Sequence, residues 1–327
     1  MRVRILDETE TRSLIDARAA IAECRAAFAK LALGEVEQPD VLTIEIAESH
    51  GEVHAKGGYL HGAATYSIKV ASGFYDNPKR GLPVTSGAVW VFDARTGHLH
   101  TMILDNGFLT ELRTGAAGAV AADLLARKTV TTVGIIGAGG QARYQLEAFL
   151  EVRSPERILV WSRNPDQAGR YAAEVAERFH RPARVAPNAH ALVADSDVVI
   201  TTTPAEEPIV LAGWARPGTH FTAMGSDMPR KRELAPGVLA GAKVVADRLA
   251  QCVTQGEIHH AIAAGALTAA GVYAELGEIA CGKKLGRTSE DEITVADLTG
   301  VGVLDAAVAS YVAQRAEAEG VGRWLET

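Results

Sequence analysis

Apolar residues recur along the first third of the chain with two different periods, and each period predicts a different kind of element. Ile21, Cys24, Phe28 and Leu31 fall at helical spacing between Asp16, a good N-cap residue, and Gly34, a residue type that ends helices. A helix is therefore predicted between those two punctuation points. From Val41 to Leu104 the period drops to two. Leu42, Ile44 and Ile46 alternate with Thr43 and Glu45, and Tyr66, Ile68 and Val70 alternate with Ser67, Lys69 and Ala71. Each set predicts a strand with one apolar side, and Lys69 falls on the side opposite its apolar neighbours. Two further apolar runs, 88–92 and 99–104, flank Asp93-Ala94-Arg95-Thr96-Gly97, which has the residues of a hairpin turn. Together these stretches predict an α+β unit on a mostly antiparallel sheet.

After Arg113 the chain turns alanine-rich and helical up to residue 127, so Arg113 is expected just before a helix. Strands are then predicted at 131–136, 157–161, 197–202, 219–224, 243–246 and 293–296, with helical stretches between most of them. That alternation is the signature of a parallel, doubly wound α/β sheet. A last helix is predicted over 304–319.

Between the first of these strands and the helix after it lies Gly137-Ala138-Gly139-Gly140-Gln141-Ala142, which matches G-x-G-x-x-A in its strand–turn–helix context. Gly137 permits the tight turn, and Gly139 lets a pyrophosphate approach the backbone. Ala142 is small enough for close helix–strand packing, and the helix start offers unpaired N–H groups to phosphate. The next strand ends at Trp161-Ser162-Arg163-Asn164, with no acid at the tip where NAD-binding folds usually hold the ribose hydroxyls. Ser162 can bond a ribose and Arg163 can receive a 2′-phosphate, so the cofactor reads as NAD(H) or NADP(H).

Bulk properties narrow the partners. A net charge of −7 over 327 residues argues against nucleic acid. The stretch through Asp7 turns acidic too early for a signal peptide, and no run of 18 apolar residues suggests a membrane span. Cys24, Cys252 and Cys281 lie far apart without metal-ligand spacing, so no metal is expected and the cytoplasm is the expected compartment.

Several short motifs, in this order and spacing, resemble the ornithine cyclodeaminase/mu-crystallin family over nearly the whole chain. They are Ser67-Ile68-Lys69-Val70, Leu112-Arg113-Thr114-Gly115-Ala116-Ala117, the glycine turn, and Gly225-Ser226-Asp227-Met228-Pro229 with Glu233-Leu234. Gln255-Gly256-Glu257-Ile258 and Asp297-Leu298-Thr299-Gly300 with Asp305 complete the set. The resemblance implies a homodimer with a substrate-binding and dimerisation domain over residues 1–114 plus 304–327. It implies a Rossmann NAD(P)-binding domain over residues 115–303. It further implies that Lys69 and Arg113 hold a substrate carboxylate, that Lys69 also moves protons, and that Asp227 acts near the reacting nitrogen. The physics agrees, since arginine presents a planar fork to carboxylates and a desolvated lysine exchanges protons near neutrality. The cofactor set expected is Gly137, Ala138, Gly139, Gly140, Gln141, Ala142, Ser162, Arg163, Thr202, Thr203, Met224 and Thr299.

The family hosts several reactions that share an imine at the α-carbon. Where ornithine cyclodeaminases resemble this region, they carry a glutamate followed by Met-Pro; here the position holds Lys56, followed by Gly57-Gly58-Tyr59. A lysine there repels an ornithine ammonium and attracts a second carboxylate. The segments 74–78 and 104–110 resemble the branch associated with ectoine utilisation and iminosuccinate reduction. The expectation is an NAD(P)H-dependent imine reductase for an acidic 2-imino acid, with iminosuccinate to aspartate as the best substrate. Lys69 and Asp227 are its catalytic candidates; Arg113, Lys56, Thr85 and Asn77 are its substrate-binding candidates. Ornithine cyclodeamination or cyclic imino acid reduction is the rival within the fold, and a mu-crystallin-like binder of NADPH and a small ligand is the rival of another class.

Overall fold

The computed structural model describes residues 2–327. In chain order it begins β1 (Arg2–Asp7), α1 (Glu8–Leu14), α2 (Ala17–Leu33), β2 (Val36–Glu37), β3 (Leu42–Ile46), β4 (Gly51–Leu60) and β5 (Thr65–Phe74). It continues β6 (Thr85–Asp93), β7 (Leu99–Leu104), α3 (Phe108–Leu125), β8 (Thr132–Ile136), α4 (Gly140–Val152), β9 (Arg157–Trp161) and α5 (Pro165–Phe179). Next come β10 (Ala183–Val185), α6 (Ala189–Asp195), β11 (Val198–Thr201), β12 (His220–Ala223), α7 (Pro236–Leu239), β13 (Lys243–Ala246) and α8 (Leu249–Cys252). The chain ends α9 (Gly256–Ala263), β14 (Ala274–Glu275), α10 (Leu276–Ala280), β15 (Thr294–Asp297), α11 (Gly302–Glu319) and β16 (Arg323–Glu326). Two units emerge: residues up to Arg113 with Val301–Thr327, and Thr114–Gly300.

The first unit is a sheet in the order β16-β1-β7-β6-β5-β4-β2, with β3 also paired to β4. Every pairing is antiparallel except β1 with β7. Asp16 caps α2 through the Ala19 N–H, and Gly34 ends it in the left-handed region, as their residue types predict. β1 and β16, the two ends of the described chain, pair with each other. Neither stretch is among the predicted strands, β1 being six residues long and β16 four.

One side of this sheet carries α11, a helix buried on nearly all its sides from Gly302 to Ala316. The approach is closest where β4 meets the start of α11. A Cβ on Gly58 would lie 3.1 Å from the Val303 Cα, and one on Gly302 would lie 2.6 Å from the Gly57 carbonyl oxygen. Only glycine fits there, and this contact fixes where the first turn of α11 projects.

The strand alternation is present, but its sides are reversed from what apolar patterning predicts. Thr65, Ser67, Lys69 and Ala71 of β5 are the buried set, facing α11. Ile68 is 42% exposed, and on the same open side Leu42 and Ile44 are 56% and 51% exposed. Polar groups tolerate the covered side because α11 answers them: the Thr65 and Ser310 hydroxyls bond at 2.8 Å, and Lys69 pairs with Asp305.

The start of α3 also differs from expectation. Asp105 accepts hydrogen bonds from the Gly107 and Leu109 N–H groups, and Asn106 and Gly107 take positive φ. That turn launches the helix at Phe108, so Arg113 lies inside α3 rather than ahead of it.

The second unit is an all-parallel sheet in the order β10-β9-β8-β11-β12-β15-β13-β14. From β8 the chain winds outward through β9 and β10, then returns to β11 on the other side of β8. The direction of winding therefore reverses between β8 and β11, the place where such sheets receive ligands. The second unit is thus a Rossmann sheet, and the first is an α+β unit. Among the described residues no helix is long and apolar enough to cross a membrane.

Candidate functional site

In the first unit, three cations gather around one carboxylate. The Lys69 Nζ lies 3.1 Å from Asp305 Oδ1, and Arg113 Nε donates to the same oxygen at 2.8 Å. All three side chains are almost fully buried. Lys56 stands directly across from Lys69 in the β4–β5 register, on the same side of the sheet. Its charge acts on both Lys69 and Asp305.

Arg113 spends only its Nε on Asp305; its two terminal amino groups donate to no described residue. The planar fork of its terminal amino groups has the geometry that pairs with a carboxylate. Burial lowers the Lys69 ammonium to about 7, with Arg113 and Lys56 adding to the effect and Asp305 opposing it. Burial also works against the charge of Asp305, but Arg113 and then Lys69 hold its carboxyl below the usual range. A further anion placed beside Lys69 would raise its proton affinity again.

Thr85 and Asn77 stand apart from this group. Thr85 shares the Lys69 side of the sheet but sits four residues along β6 from Val89, the partner of Lys69, which is about 13 Å of strand. Asn77 shapes its own loop: its amide donates to the Pro83 carbonyl at 2.9 Å and its carbonyl accepts from Leu82 N–H. Nothing in the structure assigns Asn77 a ligand.

In the second unit, the glycine turn lies at the carboxyl end of β8, beside β11. Gly137 has φ 117°, and a Cβ there would lie 2.4 Å from Thr202 Oγ1. A Cβ on Gly139 or Gly140 would meet nothing within 4 Å, and no side chain caps α4. The packing of the protein therefore does not require those two glycines, whereas a dinucleotide pyrophosphate on the helix start does. The residues present fit such a group. Ala142 is fully buried and Gln141 accepts from Gln145. At the end of β9, Ser162 donates to the Asn164 carbonyl, and Arg163 is exposed with no ion pair among the described residues.

Thr202, Thr203, Met224 and Thr299 all lie just past the carboxyl ends of parallel strands, on loops tied together by buried acids. Glu233 accepts from Thr201 Oγ1, Thr203 N–H and Gly225 N–H. Glu257 accepts from the N–H groups of Glu233 and Leu234. Asp297 accepts from Ile258 N–H, and Asp247 from Gly300 N–H and Thr299 Oγ1. Burial pushes the carboxyls of Glu233 and Glu257 up, and that of Asp297 up to about 8. Asp227, on the loop after β12, pairs with the buried Lys231 at 2.8 Å.

Sequence reasoning attached no role to Asp305, Glu233 or Asp247. Asp305 lies 192 residues after its partner Arg113, and no local pattern links them. Among the described residues no group of side chains is arranged to hold a metal ion.

With this geometry the family can be tested against known proteins. The model of the ornithine cyclodeaminase/mu-crystallin family matches residues 2–320. The chain belongs to that family. Within it, a putative dehydrogenase of Rhizobium meliloti (strain 1021) is 42% identical over 100% of this chain and 99% of its own. An archaeal alanine dehydrogenase, solved as a dimer with bound NAD, matches with TM-score 0.93 at 34% identity, covering 100% of this chain and 99% of that one. The iminosuccinate reductase of Paracoccus denitrificans, solved with NAD+, matches with TM-score 0.92 at 32% identity over 100% of both chains.

Proposed function

We propose that this protein is an NAD(H)-dependent oxidoreductase that reduces an acidic 2-imino acid to the amino acid, with iminosuccinate to aspartate as its reaction. The observation that carries the reading is the in-register pair Lys56 and Lys69, placed with Arg113 around a single buried carboxylate. Like charges opposite each other in a sheet are unfavourable, and a ligand with two carboxylates relieves them. The family's alanine dehydrogenase and iminosuccinate reductase, both solved with NAD, support the cofactor and the reaction class.

NADH, when bound, supplies the hydride for the imine carbon. The terminal amino groups of Arg113 take the α-carboxylate in a bidentate pair, with Lys69 beside it, and Lys56 takes the distal carboxylate. Lys69, poised near neutrality, gives a proton to the nitrogen as it becomes an amine and recovers it from solvent. Asp227, which family membership implicates in the chemistry at nitrogen, has its carboxylate oriented by Lys231.

The protein acts as a homodimer in the cytoplasm. Its three cysteines, all unpaired, are compatible with that compartment. The open side of the first unit's sheet supports the dimer, because exposed Leu42, Ile44 and Ile68 form the kind of apolar patch that a second copy covers. Ile44→Lys should yield monomers in sedimentation; an unchanged dimer would place the interface elsewhere.

The activity is tested by following NADH absorbance with oxaloacetate plus ammonia, pyruvate plus ammonia, a cyclic imino acid, and ornithine. Preferred turnover of the four-carbon diacid imine is expected. Turnover of ornithine alone, without consumption of reductant, overturns the reading, and tight NADH binding with no turnover makes the protein a binder. In Lys56→Glu, kcat/KM for the diacid imine should fall about ten- to hundredfold more than for the pyruvate-derived imine, as loss of a charge-assisted bond predicts. Equal losses remove Lys56 from the distal carboxylate.

A further inference from the structure

We propose that Asp305 is the positioning residue of the substrate-binding face: one of its oxygens aligns Lys69 with Arg113, and its charge keeps Lys69 able to carry a proton. The proposal rests on the reading of that face as the place where the imino acid binds.

The geometry is asymmetric in an informative way. Oδ1 receives both Lys69 Nζ and Arg113 Nε, while Oδ2 is buried without a hydrogen-bond partner. Other buried carboxylates differ in this respect: Asp105 and Glu257 use both oxygens, on backbone N–H groups, whereas Asp297, like Asp305, leaves one oxygen unpartnered. What distinguishes Asp305 is that its one engaged oxygen serves two cations from two elements, Lys69 of β5 and Arg113 of α3. Its attachment through Nε leaves the Arg113 fork open and sets it beside the Lys69 ammonium. The glycine contacts between β4 and the start of α11 hold this arrangement from behind, since Gly302 and Asp305 share the first turn of that helix.

The charges around Lys69 make the second half of the case. Facing it are Asp305 from α11, Arg113 from α3, Lys56 from β4 and Asp105 from the turn before α3, while its β6 partner Val89 is neutral. Asp105 is committed to backbone N–H groups. Without Asp305, a buried Lys69 would face two cations with only Asp105 opposing them, and its proton affinity would fall further, below neutrality. It would then have neither a proton for the nitrogen nor a charge for the carboxylate.

The test uses the full-length protein labelled with 13C-lysine. The pH midpoint of Lys69 is read from its ε-carbon resonance without substrate, with Lys69→Met identifying the signal. In Asp305→Asn the midpoint should fall by about one pH unit or more. The KM for the imino acid should rise, and the kcat lost at neutral pH should partly return at lower pH. Asp305→Glu keeps the charge but displaces the head, so its midpoint should stay near that of the unaltered protein while KM rises. An unchanged midpoint in a folded Asp305→Asn protein overturns the proposal. If that variant does not fold, a midpoint in Asp305→Glu that falls by about one pH unit or more overturns it equally. The resonance needs no turnover, so failure of the imine-reduction reading would appear as inactivity of the unaltered protein and leave this comparison standing.

Discussion

The two units bury charge in opposite ways. In the first, Lys69 and Arg113 converge on one carboxylate oxygen, with Lys56 in register beside them and the Arg113 fork unused. In the second, Glu233, Glu257, Asp247 and Asp297 are buried acids whose partners are mostly backbone N–H groups of neighbouring loops. An acid held by its own backbone is a brace. A cluster of cations sharing one carboxylate oxygen keeps a local excess of positive charge. The contrast separates residues that hold loops in place from residues proposed to meet a ligand, and each side of it can be broken separately.

The largest effect is expected from Lys69→Met. If Lys69 moves the proton, the rate of imine reduction should fall by about a hundredfold to ten-thousandfold, while NADH fluorescence titration shows unchanged affinity. A loss confined to cofactor affinity would contradict the assignment. Next comes Glu233→Gln, which points an amide NH2 at donors that need an acceptor. The second unit should lose about 1–3 kcal/mol of stability in denaturant titration, as expected for an unsatisfied buried group, and NADH binding should weaken. Substrate KM at saturating NADH should hardly change.

The pH dependence sharpens the same division. Lys69, lowered to about 7, must be protonated to give its proton, so reduction should decline as pH rises through about 7. The reverse oxidation of the amino acid should rise over the same range. The smallest effect is in stability. Asp297 is raised from 3.8 to about 8, so between those values the folded chain holds a proton that the unfolded chain has released. Its contribution to stability therefore falls as pH rises from about 4 and levels off above about 8. Asp297→Asn should remove that slope, leaving melting temperatures closer to the unaltered protein at pH 4 than at pH 8. A slope that persists in the variant belongs to other groups.

Parts of this could be read directly from the chain. Strands 157–161 and 243–246 coincide with β9 and β13, and the helix between Asp16 and Gly34 has the expected caps. Other parts could not. Alternation in β3 and β5 was legible, but not which side α11 would cover, since that depends on a helix more than 200 residues away. β1 and β16 are too short for their own residues to predict them, and they are held by pairing: β1 lies between β16 and β7. The start of α3 at Phe108 depends on Asp105 capping across a positive-φ turn, which moved Arg113 into the helix.

By itself the sequence determined the two kinds of unit, the G-x-G-x-x-A turn and the identity of the cations, because period, glycine placement and side-chain chemistry are local properties. Tertiary structure alone decided that Lys69 is buried, that Lys56 stands opposite it, and that Asp305 joins it to Arg113. The physical reason is that strand register and helix docking bring together residues far apart in the chain. Proton affinity and ligand preference follow from what surrounds a charge, and that is set only when the chain folds.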